Sequence, residues 1–377
     1  MVERPFWEAA IRAGWEAAPL VWLAGVRRVG KTTLARQTAP DALYLNCDLP
    51  SVGDMVRDPE LFFRGCRART IVFDEIHQLP DPSRLLKIGT DEFPNLRLLA
   101  TGSSTLAASQ KFTDALTGRK RVVRLQPLLY DELETFGVGL AHRLHRGGLP
   151  PAALGGSFDP SFYREWLDSF FARDVQRLFN FRSFEKFNTT FEYLLRQSGG
   201  LLDVAKTSTA LSISRPTVEH YVRALEVMQG ITMVRPFFGG GRKELVKSAR
   251  CYGFDTGFVV FCNGWDPPRP TDAGILWEHV VLEYLHAHGC EVHYWRDTAG
   301  HEVDFVLRAD RDTVDAIECK WDPNEFEPGG LRAFRSAYPQ GRNYVLSPTR
   351  LPPHSRMSGG LEIHVCTPSD WAASRPG

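Results

Sequence analysis

Five short apolar runs are spaced along the first third of the chain, and helical patterns separate most of them. The runs cover residues 20–24, 42–47, 70–73, 96–100 and 122–125, and a helical pattern at residues 3–17 precedes the first. Strands that are apolar at almost every position are typical of sheets buried on both faces. The pattern therefore predicts an α/β fold in which helices cover a parallel sheet. Ligands of such sheets bind at the carboxyl ends of the strands.

The middle of the chain has a different pattern. Residues 145–157 are rich in glycine and proline, which marks a loop or linker, and helical spacing follows at 160–178 and 184–196. Residues 201–222 then read as helix, turn and helix, with Ser214 as N-cap and Pro216 in the first turn. An apolar run at 230–234 and three glycines at 239–241 resemble a two-stranded wing. This section is predicted to be helical with a winged helix.

The last third combines one helix with two strand patterns. Glu278 lies on a helix at 275–285 and shares its apolar face, so we expect this carboxylate to be buried beside a partner. Residues 302–307 and 314–320 alternate between polar and apolar positions as strands do. Because side chains two residues apart share a face of a strand, Glu318 and Lys320 should lie together.

Composition limits the class of protein. The 377 residues suggest two or three domains, which we place at residues 1–145, 146–265 and 266–377. The 43% hydrophobic and 24% charged content is typical of a soluble globular chain. Seven scattered cysteines without zinc spacing suit reduced thiols. With neither a leader pattern nor a long apolar run, we expect a cytoplasmic protein without a membrane partner.

The first apolar run ends in the strongest motif of the chain. Residues 25–33, GVRRVGKTT, match GxxxxGK[ST], in which glycines let the backbone wrap an anion and a lysine supplies positive charge. The motif predicts that ATP binds here with Mg²⁺, and that Thr32 is a ligand of the metal. The residues predicted to bind the nucleotide are Gly25, Gly30, Lys31, Thr32 and Thr33.

Two acids follow the third apolar run. Asp74 is placed to help Thr32 hold Mg²⁺, and Glu75 is placed to polarise a water for attack on the terminal phosphate. An adjacent acid pair of this kind favours hydrolysis over phosphoryl transfer to a small molecule. The alternative is that both acids only cap the strand and begin a solvated turn.

Several segments together resemble a known family. The P-loop, the strands IVFDEIHQLP and LLATGSS, and the segments LTGRKRVVRLQPLLYDEL and WRDTAGHEVDFVL resemble the prokaryotic AAA-plus ATPases that carry a C-terminal domain of unknown function. The resemblance implies an additional-strand ATPase core with Ser103 or Thr101 as a sensor of the terminal phosphate. It also implies that Arg119 contacts the phosphate of a neighbouring subunit. A solvated basic cluster is the alternative role of Arg119.

The last domain resembles the PD-(D/E)xK nuclease fold, because an acid on one strand precedes a Glu-x-Lys on the next. In that arrangement Asp304 and Glu318 would ligate Mg²⁺, Lys320 would position or activate water, and Glu278 would support the metal. The alternative is a nuclease-like fold that binds without cutting.

These observations predict a Mg²⁺-dependent ATP hydrolase with a P-loop core, a winged-helix section and a nuclease-like α/β domain. Residues 201–250 carry eight Lys and Arg against four acids, so DNA is a candidate partner, and a second copy of the chain is another. Two alternatives remain open at this point. One is a nucleotide-gated DNA-binding switch with an inactive nuclease-like domain, and the other is a small-molecule kinase.

Overall fold

The chain forms two compact units in a computed structural model that describes residues 2–102, 116–170, 183–239, 248–349 and 351–375. The first unit consists mainly of residues up to Gln126, and the second mainly of residues from Pro127 onward. The boundaries predicted at residues 145/146 and 265/266 both lie within the second unit. The three-domain division therefore stays a prediction.

The first unit contains a five-stranded sheet whose strand order is β2-β3-β4-β1-β5. All of its strand pairs are parallel, as the apolar runs predicted. β4 lies between the P-loop strand β1 and the acid-bearing strand β3, which is the additional-strand arrangement. The strands are β1 (Leu20–Ala24), β2 (Leu43–Asn46), β3 (Thr70–Asp74), β4 (Arg97–Thr101) and β5 (Lys120–Arg124).

Helices flank these strands, and local sequence explains where several of them begin. Asp58 and Asp81 each accept a backbone N–H three residues on, and a proline follows each in the first turn. Asp58 thus marks the start of α4, and Asp81 marks the start of α5 in the segment that follows β3. The helices are α1 (Pro5–Ala17), α2 (Lys31–Thr38), α3 (Pro50–Met55), α4 (Pro59–Gly65) and α5 (Pro82–Glu92).

The second unit combines helices with a second sheet. Its helical elements are α6 (Leu140–Arg146), α7 (Pro150–Ala153), α8 (Pro160–Phe170), α9 (Phe184–Arg196), α10 (Val204–Leu211), α11 (Arg215–Val227), α12 (Thr256–Asn263), α13 (Ala273–Ala287), α14 (Gly329–Ala337) and α15 (Pro368–Ala373). Part of α8 belongs to the first unit by its contacts.

The sheet of the second unit is mixed and has the order β12-β13-β11-β10-β9-β8-β6-β7. β9 is antiparallel to both β8 and β10, whereas β11 is parallel to both β10 and β13. The strands are β6 (Ile231–Pro236), β7 (Arg250–Gly253), β8 (Val292–Arg296), β9 (Glu302–Arg308), β10 (Val314–Cys319), β11 (Asn343–Leu346), β12 (His354–Ser358) and β13 (Leu361–Cys366). Strands on both sides of the predicted 265/266 boundary thus share one sheet.

The predicted helix-turn-helix coincides with α10 and α11. Ser214 accepts the backbone N–H of Thr217 at 3.3 Å, as an N-cap should. β6 and β7 follow as an antiparallel pair, and β6 also pairs with β8. β7 is therefore the edge strand of the large sheet and β6 is its neighbour. The winged helix stays a prediction.

Within the described ranges, no helix is both long enough and apolar enough to cross a membrane.

Candidate functional site

The P-loop joins β1 to α2 through backbone conformations that suit its glycines. Gly30 has a φ of 103° at the N-cap of α2. An added Cβ on Gly25 would lie 2.8 Å from the carbonyl oxygen of Leu125, so a side chain does not fit there. The loop therefore ends at a helix N-terminus, where backbone N–H groups favour an anion.

Lys31 is buried at the start of α2. Its Nζ donates to the carbonyl oxygens of Gly25 and Val26, at 2.9 and 3.1 Å. These bonds hold the ammonium group over the loop, where it adds positive charge to the anion site. The adjacent residues Thr32 and Thr33 lie in the first turn of the same helix.

Asp74, at the end of β3, receives three hydroxyl groups. Thr32 Oγ1 donates to Oδ2 at 2.9 Å, and Thr101 Oγ1 donates to Oδ1 at 2.5 Å. The hydroxyl of Tyr44 also donates to Oδ2. Three donors from α2, β4 and β2 thus fix the orientation of one buried carboxylate.

These groups fit Mg²⁺. A hydroxyl and a carboxylate oxygen are hard ligands of the type that Mg²⁺ prefers, and Mg²⁺ bound with ATP takes few protein ligands. Thr32 and Asp74 supply this pair beside the loop that would hold the phosphates. The contact between them brings together two residues that are far apart in the sequence.

Glu75 follows Asp74 in an unusual backbone conformation. Its φ is 55°, in the left-handed region that non-glycine residues seldom adopt. The backbone N–H donates to Thr101 Oγ1 at 3.0 Å, and a carboxylate oxygen lies 3.2 Å from Nδ1 of His77. Strained backbone of this kind is concentrated at functional sites, which makes Glu75 a candidate for a role in the chemistry.

Ser103 and Arg119 were also predicted to belong to this site. Ser103 lies outside the described residues. Arg119 is described, and its Nε and Nη2 donate to the two carboxylate oxygens of Asp91, at 2.5 and 3.1 Å. The guanidinium is about one-third exposed. Its role toward a neighbouring subunit stays a prediction.

Tyr44 and His77 are site residues that the sequence analysis missed. Burial and the hydrogen bond to Asp74 raise the pKa of Tyr44 to about 12, so its hydroxyl remains a donor. The guanidinium of Arg36 lies 4.1 Å from the centre of the Tyr44 ring. The only sequence signal for Tyr44 was its place on a strand that neighbours β3.

A second cluster of charged residues lies in the second unit and contains the four predicted nuclease residues. Lys320 Nζ donates to Glu318 at 2.9 Å and lies 3.5 Å from Asp304. Asp304 also accepts the backbone N–H of Cys319 at 2.9 Å. Glu278 accepts the hydroxyl of Tyr252 at 3.0 Å, which is the partner that its partly buried position requires.

Arg250 of β7 completes this cluster, although the sequence analysis counted it only as a basic residue. Its Nη1 lies 4.0 Å from Glu278 and 3.9 Å from Asp304. Burial and the nearby Asp304 raise the pKa of Glu278 and of Glu318, each to about 8. The carboxyl groups thus share a poorly hydrated space with two cations, Arg250 and Lys320.

The carboxylates of this cluster already accept donors of the chain: Glu318 from Lys320, Asp304 from the backbone of Cys319, and Glu278 from Tyr252. In the described part of the chain, no group of three or more His, Cys, Asp or Glu side chains is arranged to hold a metal. The nuclease role of Glu278, Asp304, Glu318 and Lys320 stays a prediction.

A comparison with protein families supports the P-loop site of the first unit. Residues 17–134 match a family described as an AAA domain. The match supports a P-loop ATPase core. Residues 139–269 and 273–356 match two families, each described as a domain of unknown function.

Two proteins of known sequence resemble most of the chain. They are the uncharacterized proteins Rv2008c of Mycobacterium tuberculosis and Mb2031c of Mycobacterium bovis. Each is 28% identical over 356 residues, which cover 89% of this chain and 77% of the relative.

Among solved structures, the Walker-type ATPase PABY2304 of Pyrococcus abyssi is 16% identical and has a TM-score of 0.43. The similarity covers 70% of this chain and 96% of that one. The Holliday junction branch migration motor RuvB of Thermotoga maritima is 16% identical with a TM-score of 0.31, over 61% of this chain and 89% of that one. These similarities are too low to carry functional detail.

Proposed function

We propose that the chain binds ATP with Mg²⁺ at the P-loop site and hydrolyses it, and that the second unit couples this reaction to DNA. The contact between Thr32 and Asp74, at 2.9 Å, carries the first part of the proposal. It brings a hydroxyl and a carboxylate together at the N-terminus of α2, beside Lys31. The AAA domain match at residues 17–134 supports the same function.

Each residue of the site has a distinct role in this proposal. Backbone N–H groups of the loop and the ammonium of Lys31 bind phosphate oxygens. Thr32 and Asp74 would hold Mg²⁺, which when bound offsets the negative charge of the phosphates. Tyr44 and Thr101 keep Asp74 in place through their hydroxyl groups.

Glu75 is the residue that we assign to water activation. Its position directly after Asp74 places it next to the proposed metal ligand, and its side chain is one-third exposed. A carboxylate with that access can accept a proton from the attacking water. His77, 3.2 Å from the carboxylate, restricts where that side chain can point.

The DNA part of the proposal depends on α10 and α11. Four basic side chains of this region are exposed in the described structure: Lys206, Arg215, Arg223 and Arg235. Arg250 is buried in the ion cluster and cannot contribute to that surface. The proposed surface is thus smaller than the sequence count suggested. DNA affinity should still fall as salt rises, but with a shallower slope than eight phosphate contacts would give.

We expect DNA to raise the rate of ATP turnover by the purified full chain. Replacing Lys206 and Arg215 with Glu should abolish the stimulation while basal turnover is retained, because both residues lie in the second unit. The matched control is the double change Arg311→Glu and Arg332→Glu, which reverses two exposed charges elsewhere in that unit.

A different result would favour the nucleotide-gated switch. In that case DNA binding would depend on bound ATP, and turnover would be equally slow with and without DNA. If the control variant lost as much DNA binding as Lys206→Glu/Arg215→Glu, α10 and α11 would not be the contact surface.

Arg119 is proposed to act on the ATP of a neighbouring subunit, which requires it to leave Asp91. We therefore expect the rate per chain to rise with protein concentration as subunits associate. An Arg119→Ala chain mixed with a Glu75→Gln chain should regain part of the activity, because the second chain supplies Arg119 to the intact site of the first.

Arg124→Ala is the control for that experiment, since it removes a nearby exposed arginine of the same strand region. A rate per chain that stays constant while light scattering shows association would contradict the role in a neighbouring site. Arg119 would then serve only in its ion pair with Asp91.

A further inference from the structure

We infer that Arg250 is the resident cation of the charged cluster in the second unit, in the place where a nuclease of the resembled fold would bind a metal ion. The cluster consists of Arg250, Glu278, Asp304, Glu318 and Lys320. Its state is independent of ATP hydrolysis, which we assign to the first unit.

The position of the guanidinium carries this inference. A single nitrogen, Nη1 of Arg250, lies 4.0 Å from Glu278 and 3.9 Å from Asp304. The other terminal nitrogen, Nη2, donates to Glu302. One side chain therefore approaches carboxylates from the helix α13 and from the strand β9. Of these, Asp304 is one of the two predicted metal ligands, and Glu278 is the predicted supporting group.

Arg250 is also held in this position by its surroundings. The residue is only 7% exposed, and its backbone pairs with Val234 of β6. The guanidinium lies 5.1 Å from the centre of the Tyr294 ring, where the ring face attracts a cation. A buried arginine without carboxylate partners would be strongly unfavourable, so the cluster and Arg250 stabilise each other.

The carboxylates themselves are occupied by donors from the chain. Asp304 accepts from the backbone of Cys319 and lies 3.5 Å from Lys320, and Glu278 accepts from Tyr252. A Mg²⁺ ion requires several oxygens at about 2.0–2.1 Å in near-octahedral geometry. Binding it here would mean breaking these contacts and displacing a buried guanidinium. A cluster filled in this way has no metal to activate water, so the second unit would act by binding rather than by cutting.

Metal binding by the full chain without nucleotide tests the inference directly. Electron paramagnetic resonance counts the Mn²⁺ ions bound per chain. We expect the Asp304→Asn variant to bind as many Mn²⁺ ions as the native chain. Any Mn²⁺ held near the P-loop is identified by its loss in Asp74→Asn. The inference would be overturned by a Mn²⁺ ion that the native chain and Asp74→Asn both bind but that Asp304→Asn does not bind.

The Arg250→Met variant tests whether a metal ion can bind once the proposed resident cation is removed. We expect its melting temperature to fall by about 10 °C, because buried carboxylates lose their cation. Mn²⁺ should restore part of that loss, and the double variant Arg250→Met/Asp304→Asn should show no such response. The absence of a metal response in a folded Arg250→Met chain would contradict the idea that Arg250 stands in for a metal.

Arg296→Met is the matched control, because Arg296 is a neighbouring arginine that pairs with Glu302 at 3.0 Å but is 45% exposed. It should melt close to the native temperature and should not respond to Mn²⁺. An equal metal response in Arg296→Met would show that lost charge alone, rather than the position of Arg250, creates the site. Should Arg250→Met fail to fold, the comparison of the native chain with Asp304→Asn still decides.

Discussion

Glu75→Gln should bind ATP as the native chain does and hydrolyse it about 10²–10⁴-fold more slowly. The amide retains the size of the side chain but cannot accept the proton of the attacking water. ATP affinity should persist, because Lys31, Thr32 and Asp74 are unchanged. Phosphate release measured beside equilibrium binding of a fluorescent ATP analogue separates the two effects.

Glu92→Gln is the control for this prediction, since it makes the same chemical change at an exposed position of the same unit. It should hydrolyse ATP at the native rate. If Glu75→Gln did so as well, Glu75 would have no part in the chemical step, and the left-handed turn at this residue would be a feature of the loop alone.

Lys31→Ala should weaken ATP binding about 10- to 100-fold. The estimate follows from a net loss of one charge-assisted hydrogen bond, which contributes about 1.5–3 kcal/mol. The variant also removes the donor to the carbonyl oxygens of Gly25 and Val26. Equilibrium binding of the fluorescent analogue, together with a melting curve, distinguishes lost affinity from lost folding.

Lys87→Ala serves as the control for charge, because Lys87 is an exposed lysine of α5 in the same unit. Its ATP affinity should match that of the native chain. Unchanged affinity in a folded Lys31→Ala chain would mean that the ammonium of Lys31 does not contact phosphate, and the assignment of the loop would have to be abandoned.

The first unit was largely predictable because its signals are local. Buried parallel strands are almost wholly apolar, so β1 and β3 stand out in the sequence. The P-loop has fixed spacing, and polar residues that end parallel strands must meet at one edge of the sheet. These rules predicted that Thr32, Asp74 and Thr101 would approach one another, and the structure confirms their contacts.

The second unit was less predictable because its sheet is mixed and depends on distant pairings. The apolar run at 230–234 was interpreted as part of a two-stranded wing, and in the structure the corresponding strand β6 pairs with both β7 and β8 in an eight-stranded sheet. The sequence patterns at 302–307 and 314–320 did predict β9 and β10. Nothing local indicated that β6 would pair with a strand more than fifty residues later.

Neither Tyr44 nor Arg250 belongs to a motif, which explains why the sequence analysis missed their roles. Tyr44 reaches Asp74 only because β2 neighbours β3, and Arg250 reaches Asp304 only through the packing of the second unit. Basic residues are usually exposed, so Arg250 was counted toward a DNA surface. Its burial became visible only in three dimensions.

The central claim is that the P-loop site hydrolyses ATP with Mg²⁺, and phosphate release by the purified full chain tests it most directly. The rate should be measured at saturating ATP with Mg²⁺, after chelation, and for Lys31→Ala at the same concentrations. We predict release that chelation stops and that Lys31→Ala strongly reduces. Release by the native chain no faster than by Lys31→Ala, or release that continues undiminished after chelation, would contradict the account.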